Sequence, residues 1–291
     1  MAATFSVDSR TLSDLNAEAA TKFFRDLLWC EARRVGLSPH KVVISLKTDV
    51  ADGGIDARVD GSATTDSVLT KGLTYFQIKA GHAFKPWITG ALKKELFGSS
   101  TARPKRDRLA PEIRECFRNR GRYVLVSFGH DLTPHQQSTA KKTLTKLLQA
   151  SGYRKPAVEV LAQGQLLGLF SLFPSLALGL LGKENLSFLT VDEWKARADM
   201  IQPLQLSDEQ KSVIEQIRDG LRGTAHKHIR VIGEPGLGKT RLVLEAVSAE
   251  DLAHMVLYVP HAEDFQRGQL FNVNLVRDLR TVGPPEREMG V

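Results

Sequence analysis

The chain has 291 residues, 42% of them hydrophobic and 25% charged, enough for two domains with separate cores, which excludes a disordered polar chain. Its net charge of +7 is unevenly held: residues 1–160 carry 26 Lys and Arg against 16 Asp and Glu, a net of +10, while the remainder is net −3. The positive field of the first half suits a polyanionic ligand there. Cys30 and Cys116 are the only cysteines, with no CxxC or Cys/His ligand spacing, which argues against a disulfide framework or a zinc ribbon. A polar N-terminus containing Asp8, Arg10 and Asp14 lacks the pattern of a secretory signal, and the expected compartment is the cytoplasm.

In chain order, residues 13–35 read as one amphipathic helix with Ser13 as its N-cap. Leu15, Ala19, Ala20, Phe23, Leu27 and Cys30 share a face, and Gly36 stops it. Lys41 to Leu46 form a β-type run. Asp52-Gly53-Gly54-Ile55-Asp56-Ala57-Arg58-Val59 and Leu73-Thr74-Tyr75-Phe76-Gln77-Ile78-Lys79 then alternate apolar with polar residues around a Gly/Ser/Thr/Asp-rich turn, the pattern of a β-hairpin. On its strand Gln77 points with Lys79 and against Ile78, so Asp56 across from them would bring a carboxylate, an amide and an ammonium together. That set suits metal-assisted phosphodiester hydrolysis. Asp56, the Gln77 side chain and the Ile78 carbonyl would offer oxygen to Mg2+ or Mn2+, and Lys79 would orient the attacking water and offset charge on phosphorus.

The Asp56…Gln77-x-Lys79 pattern resembles the PD-(D/E)xK nuclease superfamily, in the Gln-x-Lys variant of Mrr-like bacterial defence nucleases. The resemblance implies a restriction-endonuclease-like α/β sandwich. Related nucleases often carry a metal-binding Glu on the first helix, which makes Glu18 the candidate here.

A helix is expected near 88–97. Residues 103–122 then hold Arg103, Lys105, Arg106, Arg108, Arg114, Arg118, Arg120 and Arg122 against three acids, a stripe suited to the backbone of double-stranded DNA without reading its sequence. Tyr123–Phe128 reads as a buried strand, Thr133–Ala150 as a helix with Thr133 capping and Pro134 at its first position, and Val158–Leu161 as a strand. Val160–Gly182 contains no charge, but its strongly apolar part, Leu166–Leu181, is shorter than the roughly 20 residues a membrane helix needs; two short helices split at Pro174 are expected.

The first domain is therefore placed at 1–185, a linker at 186–206 and a second domain from 207 to 291. Ser207, with Gln210 three residues on, opens a helix running to Gly220. His228–Ile232 reads as a strand leading into Gly233-Glu234-Pro235-Gly236-Leu237-Gly238-Lys239-Thr240, a complete Walker A motif followed by a helix over 241–248. In such a loop backbone N–H groups surround the phosphates of ATP, Lys239 reaches the β- and γ-phosphates and Thr240 ligates magnesium. Met255–Val259 is the expected next strand. No Walker B pattern follows, so the segment reads as the start of an NTPase domain.

A nuclease followed by a P-loop NTPase resembles antiphage STAND proteins of the AVAST type. The resemblance implies a DNA endonuclease effector, an NTPase that drives homo-oligomerisation, and a phage protein as trigger. Two other readings stay open: a DNA-translocating, ATP-dependent restriction enzyme, and an inactive DNA-binding module with a nucleotide switch.

Overall fold

In the computed structural model, residues 7–45, 55–61, 67–181, 188–197, 205–223, 229–260 and 274–277 are described. The fold is mixed α/β, in two compact units that divide at Phe170/Ser171. Asp52–Gly54 lie outside the described residues.

The first unit runs α1 (Ser9–Ser13), α2 (Ala17–Arg34), β1 (Val42–Ile44), β2 (Ala57–Gly61), β3 (Gly72–Lys79), α3 (Thr89–Phe97), α4 (Pro111–Arg118), β4 (Arg122–Ser127), α5 (Pro134–Ala150), β5 (Ala157–Leu161) and α6 (Gln163–Ser171). The expected helix over 13–35 is two helices. Asp8 caps the first through Thr11 N–H, and Asn16 caps the second, its Oδ1 accepting from Ala19 N at 2.8 Å. An Asx cap requires extended backbone at Asn16 (ψ 172°), which a continuous helix forbids. At the other end Gly36 does stop α2, at φ +69°, with Leu37 N reaching back to Ala32 O at 2.7 Å. The capping box at Thr133 forms with Gln136 as its third-position partner.

The strands make one five-stranded sheet in the order β1-β2-β3-β4-β5. β1/β2 and β2/β3 are antiparallel; β3/β4 and β4/β5 are parallel. One face meets α2, where Phe24 packs edge-on against Phe76 and Phe128. The other face, with Tyr75, Tyr123, Leu125, Val158 and Val160, is buried under α3, α4 and α5 through Leu92, Leu96, Ile113, Leu144 and Leu148. Gln77 and Lys79 follow the parity of Tyr75, so strand alternation alone turns them to this second face. On α2, Glu31 is fully buried and is held by Arg34 at 2.6 Å on both oxygens and by Ser67 Oγ at 2.6 Å.

The second unit contains α7 (Pro174–Leu181), β6 (Leu189–Thr190), α8 (Val191–Arg197), α9 (Asp208–Arg222), α10 (Lys239–Val247), β7 (Val256–Val259) and β8 (Asn274–Arg277). Within the segment expected as a linker, β6 pairs with β7, and Leu189, Val191 and Trp194 join a core with Leu244, Val247 and Val256. Trp194 stacks on Tyr258 with centroids 4.2 Å apart. No single helix among the described residues is long and apolar enough to cross a membrane.

Candidate functional site

The residues singled out on the hairpin lie at neighbouring positions of the two strands. Asp56 stands just before β2: its N–H bonds Phe76 O at 2.9 Å, and its Oδ2 accepts from Ile78 N at 2.5 Å. The side chain thus takes up the β3 donor next after the last β2–β3 pair, which fixes the carboxylate between Gln77 and Lys79 in the chain.

Neither Gln77 nor Lys79 faces Asp56 alone. Gln77 Nε2 donates to Glu95 Oε1 at 2.5 Å, and Lys79 Nζ lies 2.6 Å from the same oxygen. Gln77 Oε1 accepts from the Tyr123 hydroxyl on β4. Gln77 and Tyr123 are buried, whereas Lys79 keeps 26% and Glu95 20% of its side chain exposed, so the cluster opens to solvent on the lysine–glutamate side. Burial, and after it the Glu95 and Asp56 carboxylates, push the Tyr123 phenol well above its ordinary range. The phenol therefore remains a donor, and both carboxylates act on it from nearby.

Sequence reasoning passed over Glu95, Tyr123 and Ser127. Glu95 sits in Lys93-Lys94-Glu95, which looks like surface charge, but Leu92 and Leu96 are both fully buried and the helical period places Glu95 at the edge of their face, half-buried. In the sequence Tyr123 is one of a run of buried strand residues, and only the need of a buried phenol for a partner sets it apart. Ser127 pairs in register with Lys79, is 1% exposed, and its hydroxyl has no hydrogen-bond partner among the described residues.

Glu18 is not brought to this cluster. It is exposed in the first turn of α2, on the helix that covers the other sheet face, and no bond joins it to Asp56, Gln77, Lys79 or Glu95. Of the basic stripe, Arg103, Lys105, Arg106, Arg108, Arg114, Arg118 and Arg120 are exposed, Arg106 with its guanidinium 5.1 Å from the Tyr153 ring. Arg122 is different. It is half-buried and donates to Val68 O at 2.5 Å, and desolvation lowers its pKa, so it ties β4 to the loop before β3 and leaves the stripe. It pairs with Thr74, five residues before Lys79, or roughly 17 Å along the strand. Arg118 and Arg120 therefore lie toward the end of the sheet away from Lys79.

Among the described residues no three His, Cys, Asp or Glu side chains gather as a metal cluster. Asp56 and Glu95 nevertheless fit a hard cation, because magnesium is commonly held by one or two carboxylates and keeps several waters. Glu95 Oε2 takes no hydrogen bond among the described residues. Gln77 would contribute oxygen only after its amide turned over, since Oε1 is held by Tyr123.

The Walker A segment forms a second site in the other unit. Of the expected strand at 228–232, His228 lies outside the described residues and Ile229–Ile232 is irregular, with Ile232 78% exposed and no neighbouring strand among the described residues as ladder partner. The loop itself is formed. Gly236 (φ +88°) and Gly238 (φ +72°) adopt left-handed conformations, and Gly238 caps α10. Lys239 Nζ folds back on Gly233 O and Glu234 O at 2.8 and 2.7 Å. The loop thus closes on its own lysine, in the space where phosphate oxygens would replace the two carbonyls. Thr240 stands next in α10. Packing of α9 against α10 through Ile214, Ile217, Leu242 and Ala246 supports the loop, and Arg218 caps the end of α10 by donating to Glu245 O and Ala246 O, both at 3.1 Å.

Comparison with protein-family models, with curated proteins and with solved structures finds no match to this chain.

Proposed function

We propose that the chain is a metal-dependent DNA endonuclease of a bacterial antiphage system, of restriction-endonuclease-like fold, whose attached STAND-type NTPase governs activity by ATP-dependent oligomerisation. The observation that supports this most is the convergence of Gln77 and Lys79 on Glu95 Oε1, with the Asp56 carboxylate bonded to the N–H of the intervening Ile78. Mg2+ or Mn2+ held by Asp56 and Glu95 would polarise the scissile phosphate and lower the pKa of a bound water. Lys79, held beside Glu95, would set its ammonium against the developing phosphoryl charge. Gln77, fixed by Tyr123, keeps Glu95 and Lys79 in register. The net +10 of residues 1–160 concentrates double-stranded DNA on this half.

The Walker A loop, with Gly233 through Thr240, would bind ATP and magnesium, and assembly follows only if ATP binds the assembled state more tightly. A phage protein is the proposed trigger. One feature favours an inactive DNA-binding module instead: Lys79 and Gln77 are both engaged with a single Glu95 oxygen. Incubation of the chain with supercoiled plasmid separates the two. The nuclease reading expects nicking with Mg2+ or Mn2+ and none with EDTA. DNA bound but never cut, with either metal and with or without ATP, would favour the binding module.

A further inference from the structure

Beyond Lys79 the chain turns through Gly81 (φ +68°) into a loop carrying His82, Phe84 and Trp87, and beyond Ser127 it turns through Gly129 to His130. The two loops are pressed together: a Cβ at Gly129 would stand 1.8 Å from Gly81 O, so only glycine allows the approach. His130 Nε2 lies 3.0 Å from His82 O, which as a carbonyl can only accept, so the imidazole donates from Nε2. The His130 ring sits edge-on to Trp87, centroids 5.0 Å apart, and to His82 at 5.6 Å. Phe84 and Trp87 rest partly buried on the core of Tyr75, Tyr123 and Leu125, the same sheet face that carries Gln77 and Lys79. His82 is exposed, and Trp87 and His130 are half-buried. From Ser67 to Lys94 the chain has five lysines and no acid.

We infer that His82, Trp87 and His130 form a stacking subsite for an unpaired base in the strand whose phosphate lies at Lys79. The inference rests on the nucleic-acid reading above and deepens it: the double-stranded substrate gives up one nucleotide from its stack beside the scissile bond. Three π-systems fixed at angles to one another, two of them in a stretch with five lysines and no acid, match a flat base with a phosphate on either side. A base inside a duplex has both faces covered and cannot enter. His82 is three residues beyond Lys79, at most about 11 Å of chain. A stacked strand advances about 3.4 Å per nucleotide, so the base concerned is within about three nucleotides of the phosphate at Lys79.

The test is binding of a short fluorescein-labelled oligothymidylate and of a blunt duplex of equal length to the whole chain, in EDTA so that nothing is cut. Trp87→Ala should weaken oligothymidylate binding roughly 5- to 100-fold, the range for loss of one base–aromatic stack. His82→Ala should weaken it in the same direction, and Trp87→Phe should restore most of the affinity, while duplex binding stays unchanged in all three. His82 is exposed, so its variant carries the test if Trp87→Ala unfolds. Equal weakening for duplex and oligothymidylate, or wild-type affinity in His82→Ala and Trp87→Ala, overturns the subsite. A wild-type chain that binds neither DNA overturns it together with the nucleic-acid reading. Intact stacking without any metal-dependent cleavage would remove only the nuclease.

Discussion

Glu95 Oε1 receives the Lys79 ammonium at 2.6 Å and the Gln77 amide at 2.5 Å, so one carboxylate oxygen on α3 holds both motif residues of β3. Replacing Glu95 by Gln removes the charge but keeps the shape. We expect metal-dependent plasmid cleavage to fall at least about 100-fold, the scale for losing one electrostatic catalytic group. Glu18→Gln should stay within about 2-fold of wild type. Equal loss in both variants would contradict the placement of Glu95 in the site.

Tyr123→Phe deletes the donor to Gln77 Oε1 and leaves a buried amide oxygen unpaired. Denaturant unfolding should show a loss of about 1–3 kcal/mol. The sign of the pH effect follows from the raised phenol pKa. Above roughly pH 10 the unfolded chain loses this proton while the folded chain keeps it, so wild-type stability falls as pH rises. Tyr123→Phe should lack that part of the alkaline slope, and identical slopes would count against the buried, neutral phenol.

For the basic stripe, Arg114→Ala with Arg118→Ala should weaken duplex binding evenly across sequences and reduce its salt slope by roughly two units. Arg122→Ala should leave that slope alone and instead lower stability, because its guanidinium is bonded to Val68 O inside the fold. A slope that drops for Arg122→Ala but not for the double variant would reverse the assignment.

Much of this arrangement was legible in the sequence. Strand alternation put Gln77 and Lys79 on one side, the hairpin brought Asp56 beside them, and Gly36, Thr133–Pro134 and Ser207 marked helix ends where they fall. Glu95 was hidden because charge on a helix is usually solvated, and only the burial of Leu92 and Leu96 fixes which way α3 faces. Arg122 looked like its neighbours because composition does not distinguish an arginine at the start of a strand from those on α4 and its flanking loops. The break at Asn16 was missed because the apolar period runs across it, while the cap acts through one side-chain bond.

In the second unit, Lys239 Nζ is held by Gly233 O and Glu234 O, so under the proposed function ATP would have to displace both carbonyls. A thermal or denaturant titration should show stabilisation by Mg-ATP, about 2.7 kcal/mol when ATP is 100-fold above its Kd. Lys239→Ala should abolish it. Stabilisation that survives this substitution would mean that nucleotide binds elsewhere or without the loop.

The most direct test is the rate of nicking of supercoiled plasmid by the whole chain in Mg2+ and ATP, beside Asp56→Ala and Lys79→Ala at matched thermal stability. The account predicts cleavage by the wild type and a loss of at least about 100-fold in each variant. Cleavage at the wild-type rate in both would contradict it.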